Sequence, residues 1–351
     1  MLKCSYQKYT LRFIRPGGTS RGILYEKETW IISLYDDTDT GKVAYGECGL
    51  FKGLSFDGKP GYEEKLSQIC EQLPTQKQSV LSQLNEWPSI YFGIEMVLKD
   101  WENNCNHVLF DNEFTQGEKG IDINGLIWMD NKESMISQME TKFEQGFTCI
   151  KMKIGAIDFE SELGILQLIR GQFSSEQIEI RVDANGAFSV KEALEKLKRL
   201  SDFDIHSIEQ PIRQGQIPEM AELIKTSPIP IALDEELIGI TDIGDKRELL
   251  EKLQPLYIIL KPTLVGGFAG SQEWIDLIEE QAGQWWITSA LESNVGLNAI
   301  AQFASTKNNA LTQGLGTGQL YSNNFDSPLQ IQNGKLFFDK TLSWNFSNLK
   351  K

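Results

Sequence analysis

Residues 148–155 read TCIKMKIG. The fate of the two lysines in that run decides the fold. The stretch is otherwise apolar or β-branched, which reads as a strand. Successive side chains on a strand point to opposite faces, so Lys151 and Lys153 point the same way. Two arrangements fit. One is an exposed edge strand decorated with lysine, a common device against edge-to-edge pairing. The other is a catalytic pair, with both ammonium groups aimed into a pocket.

The sequence on either side separates the two. From about residue 120, short apolar runs alternate with longer amphipathic segments: IDINGLI, CIKMKI, IEIRVDA, HSIEQP, IPIALDE, YIILKP, WWITSAL and ALTQGLG. VKEALEKLKRL, with Ser189 as N-cap, and SQEWIDLIEEQ are helical between them. Eight βα repeats over about 200 residues predict an α/β fold of the (β/α)8 TIM-barrel type. Residues 1–115 read as an α+β capping domain, residues 116–320 as the barrel, and residues 321–351 as a tail returning to the cap. Pro16-Gly17-Gly18 is the expected turn between the first two cap strands.

Ionisable residues interrupt the barrel strands with the period of the fold. Lys153, Asp183, Glu209, Asp234 and Lys261 each close one strand, at intervals of 30, 26, 25 and 27 residues. In such barrels the carboxyl ends of the strands carry the active site. Singly, Asp183 in DANG could make an Asx-turn and Glu209 could be a solvated loop residue. The shared register favours one site. Asp183, Glu209 and Asp234 on adjacent strands would repel one another without a cation. All-oxygen ligation with open positions suits Mg²⁺, with Mn²⁺ as a substitute.

A lysine on each side of such a centre suits removal of a proton α to a carboxylate. A lysine base works best with a pKa of ~7–8, against ~10.4 for the free side chain. Lowering it that far costs roughly 4 kcal/mol. The like charge of Lys151 supplies part of that, which gives a reason for two lysines on one face. Lys153, nearer the strand end, is the expected base, with Lys151 tuning it or holding substrate.

Composition narrows the partners. The net charge of −15 disfavours nucleic acid and anionic membranes, while leaving a small anionic carboxylate substrate open. No apolar run reaches membrane-span length and the first residues lack a signal-like core. Five scattered cysteines without CxxC spacing argue against a disulfide framework or thiolate metal site and for a cytoplasmic setting. With His107 and His206 as the only histidines, a histidine-rich metal site is excluded.

KMKIG, RVDANGAFS, IEQPI, LDEEL and LKPTLVGG resemble the enolase superfamily, in the muconate-lactonizing subgroup with lysines on strands two and six. YGECG and SIYFGIEMVLKDW resemble its capping domain. The resemblance implies Asp183, Glu209 and Asp234 as metal ligands, Lys153 and Lys261 as acid/base lysines, and Asn185 and Glu235 as supports of the metal site. RPGGTSRGIL, ITSALESNVGLNAIAQFA and GLGTGQLYSNNF resemble the o-succinylbenzoate synthase family within it. That implies a lyase of menaquinone synthesis, dehydrating 2-succinyl-6-hydroxy-2,4-cyclohexadiene-1-carboxylate. An N-acylamino acid racemase or dipeptide epimerase is the alternative, although GLGTG on strand eight lacks the carboxylate pair expected for a dipeptide's ammonium. A non-catalytic metal-binding barrel is the alternative of another class.

Further expectations concern the rim. Gly17, Gly18 and Thr19 form either a lid over the barrel mouth or an ordinary hairpin turn. Arg181 shares the inward face with Asp183, and either pairs with a ligand carboxylate or closes a core layer. Ser289 and Ser293, after strand seven, either bind a substrate carboxylate or cap a helix.

Overall fold

The computed structural model describes residues 1–19 and 22–349. Its first part is a three-stranded antiparallel sheet of Leu2–Thr19, Gly22–Asp36 and Asp39–Cys48. Three helices follow, Tyr62–Gln72, Lys77–Leu81 and Pro88–Glu102. Alternation along the middle strand turns Trp30, Ile32 and Leu34 toward Leu66, Ile69, Ile90, Ile94 and Val97 of those helices. Pro88 opens the third helix, where a missing N–H costs nothing. Asp57 Oδ2 accepts from the Ser89 N–H at 2.9 Å and fixes that start. The helix lies directly on the third strand. A Cβ on Gly46 would come within 2.1 Å of the Gly93 carbonyl oxygen.

The barrel strands follow in chain order: Gly125–Ile127, Cys149–Lys153, Glu179–Asp183, Ser207–Glu209, Ile231–Leu233, Tyr257–Leu260 and Gln284–Ile287. Each pairs in parallel with the next. Parallel strands covered by helices are buried on both faces, so they read as near-continuous apolar runs. The eighth strand, expected over ALTQGLG, is reduced to two bridges. Gln313 pairs with Ile123 and Gly314 with Thr288, which joins strand seven to strand one. A 3-10 turn, Gly316–Gln319, follows it. The fold is a TIM-type barrel with an N-terminal capping domain.

Residues 321–349 divide their contacts. Tyr321 bridges to Phe13 of the first cap strand. The hairpin of Leu329–Gln332 and Lys335–Phe338 pairs instead with Ile121–Asp122, at the amino end of the first barrel strand. Phe346 then stacks on Tyr45 of the cap, with ring centres 4.0 Å apart. Among the described residues no helix is long and apolar enough to cross a membrane.

The expected turn at Pro16-Gly17-Gly18 is not where the chain reverses. Gly17 and Gly18 continue the first strand, opposite Leu24 and Ile23, and the ladder closes at Thr19 and Gly22. A register irregularity between Arg12 and Gly17 absorbs the proline, which cannot donate to a ladder. Residues 20 and 21 lie outside the described residues.

Candidate active site

Lys153, Asp183 and Glu209 end strands two, three and four, and Asp234 and Lys261 follow directly on strands five and six. Lys153 and Asp183 are direct neighbours in the parallel ladder, as are Asp183 and Glu209. Parallel pairing in register therefore sets the five groups side by side at one mouth. Just beyond Asp183 and Glu209 the backbone turns left-handed, at Asn185 (φ 45°) and Gln210 (φ 41°). Non-glycine residues in that region concentrate at functional sites.

The lysines and carboxylates form one interlocked array. Lys153 Nζ lies 2.6 Å from Asp183 Oδ2 and donates to Asn185 Oδ1 at 2.6 Å. Lys151 Nζ lies 2.9 Å from the same Asp183 oxygen and also pairs with Glu209 Oε2. Lys261 Nζ pairs with Asp234 Oδ2 and lies 3.8 Å from Glu209 Oε1. Asn185 Nδ2 donates to Glu235 Oε1 at 3.2 Å. Asp183, Glu209 and Asp234 are fully buried.

Burial alone would lower the Lys151 ammonium, but Asp183 and Glu209 outweigh it and hold it above its ordinary value. Lys261 is likewise raised, with burial opposed by Asp234 and Glu209. Glu209 is pushed up to about 8, by burial first and then by the Asp183 carboxylate. Asp183 moves the other way. Burial would raise it, but Lys151 and Lys153 outweigh that and hold it well below the carboxylate range.

Among the described residues no three His, Cys, Asp or Glu side chains form a ready coordination cage. The ammonium groups lie against the carboxylate oxygens in its stead. The donor set nevertheless fits a hard divalent cation. It is all oxygen, on three adjacent strands, and the buried Glu209 Oε1 accepts no hydrogen bond.

The array opens into a cavity of about 210 Å³. Lys151, Lys153 and Lys261 line it, with Asn185 and Glu235. Strands two and six are four staves apart in a ring of eight, so Lys153 and Lys261 face each other across it. Ser289 lines it too, its Oγ 2.6 Å from Thr317 Oγ1.

Two expected contacts lie elsewhere. Ser293 is fully buried outside the cavity. It caps the helix Asn294–Ser305 and donates to Glu47 Oε2 of the cap at 2.5 Å, while its N–H donates to Glu47 Oε1 at 2.9 Å. Arg181 sits one layer below Asp183, because two residues along a strand is a step of about 6.6 Å. There it donates to Glu179 Oε1 at 2.6 Å and to the Thr312 carbonyl at 2.8 Å, with its guanidinium 4.3 Å from the Trp286 ring centre. It closes a core layer. Gly17 and Gly18 pack beside Trp128 and Met129, while it is Gly22, Ile23 and Leu24 of the returning strand that line the cavity.

The cavity also uses residues the sequence reading passed over. Trp128 lies just past strand one, the position that Asp234 and Lys261 occupy on theirs. Phe51, Lys52 and Leu54 come from the cap loop after YGECG. That loop's glycines, Gly49, Gly53, Gly58 and Gly61, interleaved with Phe51 and Phe56, were the available signal.

Comparison with known proteins bears on this geometry. A family model described as enolase C-terminal domain-like matches residues 134–340. The o-succinylbenzoate synthase of Desulfotalea psychrophila is 44% identical over 366 aligned positions, covering 95% of this chain and 98% of that one. The crystal structure of MenC from Desulfotalea psychrophila LSv54 matches with a TM-score of 0.84 at 40% identity, over 96% of this chain and 99% of that chain. A dipeptide epimerase of Enterococcus faecalis V583, solved with Mg and the dipeptide L-Leu-L-Tyr, matches with a TM-score of 0.83 at 18% identity, over 96% and 97% of the two chains. That last likeness speaks for the fold.

Proposed function

The chain belongs to the enolase superfamily, and we propose that it works there as an o-succinylbenzoate synthase, a carbon–oxygen lyase. The reaction removes water from 2-succinyl-6-hydroxy-2,4-cyclohexadiene-1-carboxylate. The observation that carries the reading is that Lys153 and Lys261 line one cavity from opposite strands of the barrel.

In this reading Lys153, as the free amine, takes the proton from the carbon bearing the substrate carboxylate. The electron pair moves into that carboxylate as an enediolate. It then returns to form the ring double bond as the C–O bond to the hydroxyl breaks. The Lys153 ammonium gives its proton to the departing oxygen, which leaves as water, and the ring becomes aromatic. Base and acid are one group on one face, so the elimination is syn. Lys261 stays protonated on the opposite face, where Asp234 and Glu209 favour its charge. It stabilises the negative charge that develops on the carboxylate.

Asp183, Glu209 and Asp234 would hold Mg²⁺, with Asn185 and Glu235 supporting them. When bound, the ion supplies positive charge against the substrate carboxylate. Lys151, paired with Asp183 and Glu209, keeps those two carboxylates from repelling each other. The apolar wall of Leu24, Phe51, Leu54, Leu126 and Trp128 keeps water from the ring.

Lysines on both faces also suit a 1,1-proton transfer, so racemisation of N-acylamino acids is the second reading. Dehydration is followed by ultraviolet absorbance of the aromatic product, with and without EDTA. Fast turnover lost on chelation is the expected result. A folded, Mg²⁺-binding protein that leaves the diene unchanged, yet exchanges the α-hydrogen of N-acylamino acids with deuterium, supports the second reading instead.

A further inference from the structure

The protein carries a net charge of −15, yet among the described residues its cavity is lined by four lysines and one glutamate. Three of those lysines belong to the array at the strand ends. The fourth, Lys52, stands apart on the cap loop after strand Asp39–Cys48. It is exposed and makes no ion pair among the described residues. Lys151, Lys153 and Lys261 each rest on a carboxylate. Lys52 is thus a cation on the cavity wall with its charge unspent.

The loop beneath it is held in place. The buried Lys27 ammonium donates to the Gly49 carbonyl at 3.2 Å. Phe51 N–H donates to Ser55 Oγ at 2.8 Å, and the N–H groups of Leu54 and Ser55 return to the Phe51 carbonyl at 3.0 and 2.8 Å. Lys52 therefore projects from a closed turn. Its flanks Phe51 and Leu54, with Leu24, Leu126 and Trp128, supply the apolar wall shared with the array. The cavity thus combines three lysines at the strand ends, an apolar wall, and a separate cation on the cap.

We infer that Lys52 is a specificity-determining residue that binds the second carboxylate of a dicarboxylate substrate, the one at the end of its flexible arm. The choice of substrate rests on the function proposed above. In that substrate the ring carboxylate meets the strand-end array, the ring meets the apolar wall, and the succinyl carboxylate meets Lys52. The contact forms in the bound ground state as fully as in the transition state, because the arm is remote from the bonds that change. It therefore governs KM rather than kcat.

The test compares wild type with Lys52→Met and Lys52→Arg. The side chain is exposed, so neither change disturbs packing. Lys52→Met should raise KM for the diene roughly 10–100-fold with kcat nearly unchanged. Lys52→Arg should recover most of the loss, and added salt should weaken wild type more than Lys52→Met. By calorimetry, Lys52→Met should bind o-succinylbenzoate more weakly than wild type by the same factor. Benzoate, which lacks the arm, should bind the two equally. Equal affinity of wild type and Lys52→Met for o-succinylbenzoate overturns the assignment, as does an equal loss for benzoate. Failure of wild type to turn over the diene overturns the proposed reaction alone. The calorimetric comparison still decides Lys52 in that case.

Discussion

Lys151 and Lys153 converge on a single atom. Their Nζ atoms lie 2.9 and 2.6 Å from Asp183 Oδ2, from positions two apart on one strand. The inward face of that strand thus places one ammonium deeper, between Asp183 and Glu209, and one higher, between Asp183 and Asn185. The two lysines have different neighbours and should have different roles.

Lys153→Ala and Lys261→Ala should each lower turnover by at least the ~10²–10⁴-fold typical of a lost acid–base group. Mg²⁺ binding, measured by calorimetry, should persist in both. Full turnover by either variant would rule out the proposed mechanism.

Lys151→Ala should be milder in turnover than Lys153→Ala and worse in stability. It leaves two buried carboxylates facing each other without the cation between them, at a cost of roughly 3–5 kcal/mol. Denaturant unfolding of the metal-free protein measures that. Equal catalytic damage from Lys151→Ala and Lys153→Ala would argue against Lys153 as the base.

Asp234→Asn removes a charge from the oxygen set while keeping its shape. Mg²⁺ affinity should fall by more than the roughly 10–100-fold seen when a merely supporting residue is lost. Unchanged affinity in a calorimetric titration would remove Asp234 from the ligand set.

Glu47 is the fully buried hub between cap and barrel. It accepts from the Thr29 hydroxyl at 2.8 Å, the Ser293 N–H at 2.9 Å and the Gly296 N–H at 2.8 Å. Glu47→Ala strands several donors at once and should cost about 3 kcal/mol or more. Ser293→Ala keeps its N–H bond to Glu47 and loses only the hydroxyl, which donates to Glu47 Oε2 and accepts from the Val295 N–H, so it should cost less, about 1–2 kcal/mol. Chemical denaturation of the two variants checks the order.

Glu95 ties a cap helix to the barrel, accepting from the N–H groups of Phe268 and Ala269 at 2.5 and 3.2 Å. Burial raises its carboxyl to about 7, against the pull of those two N–H groups. A raised carboxyl means the folded state binds the proton more tightly than the unfolded chain. Its contribution is therefore fully present below about pH 4.5 and is lost as pH rises through about 7. Glu95→Gln should flatten the fall in stability across that window relative to wild type. Parallel stability curves for the two proteins would contradict this.

The periodic features of the site were legible along the chain. Residues 148–155 and the runs that follow repeat at the length of a βα unit, and the barrel turns that repeat into a ring. A group closing each strand must then stand at the same rim, because strands paired in parallel end together. Lys153, Asp183, Glu209, Asp234 and Lys261 owe their common mouth to that constraint. Contacts outside the repeat belonged to the tertiary structure. Ser293 follows a barrel strand as Ser289 does, yet one turn of chain sends it to Glu47, 246 residues away in sequence. Arg181 shares a face with Asp183 but sits one layer down, where Glu179 is nearer than any ligand. Pro16-Gly17-Gly18 reads as a turn, but the pairing of Gly17 and Gly18 with Leu24 and Ile23 carries the strand past it. Local spacing fixes which way a side chain points. What it meets there depends on segments that only folding brings within reach.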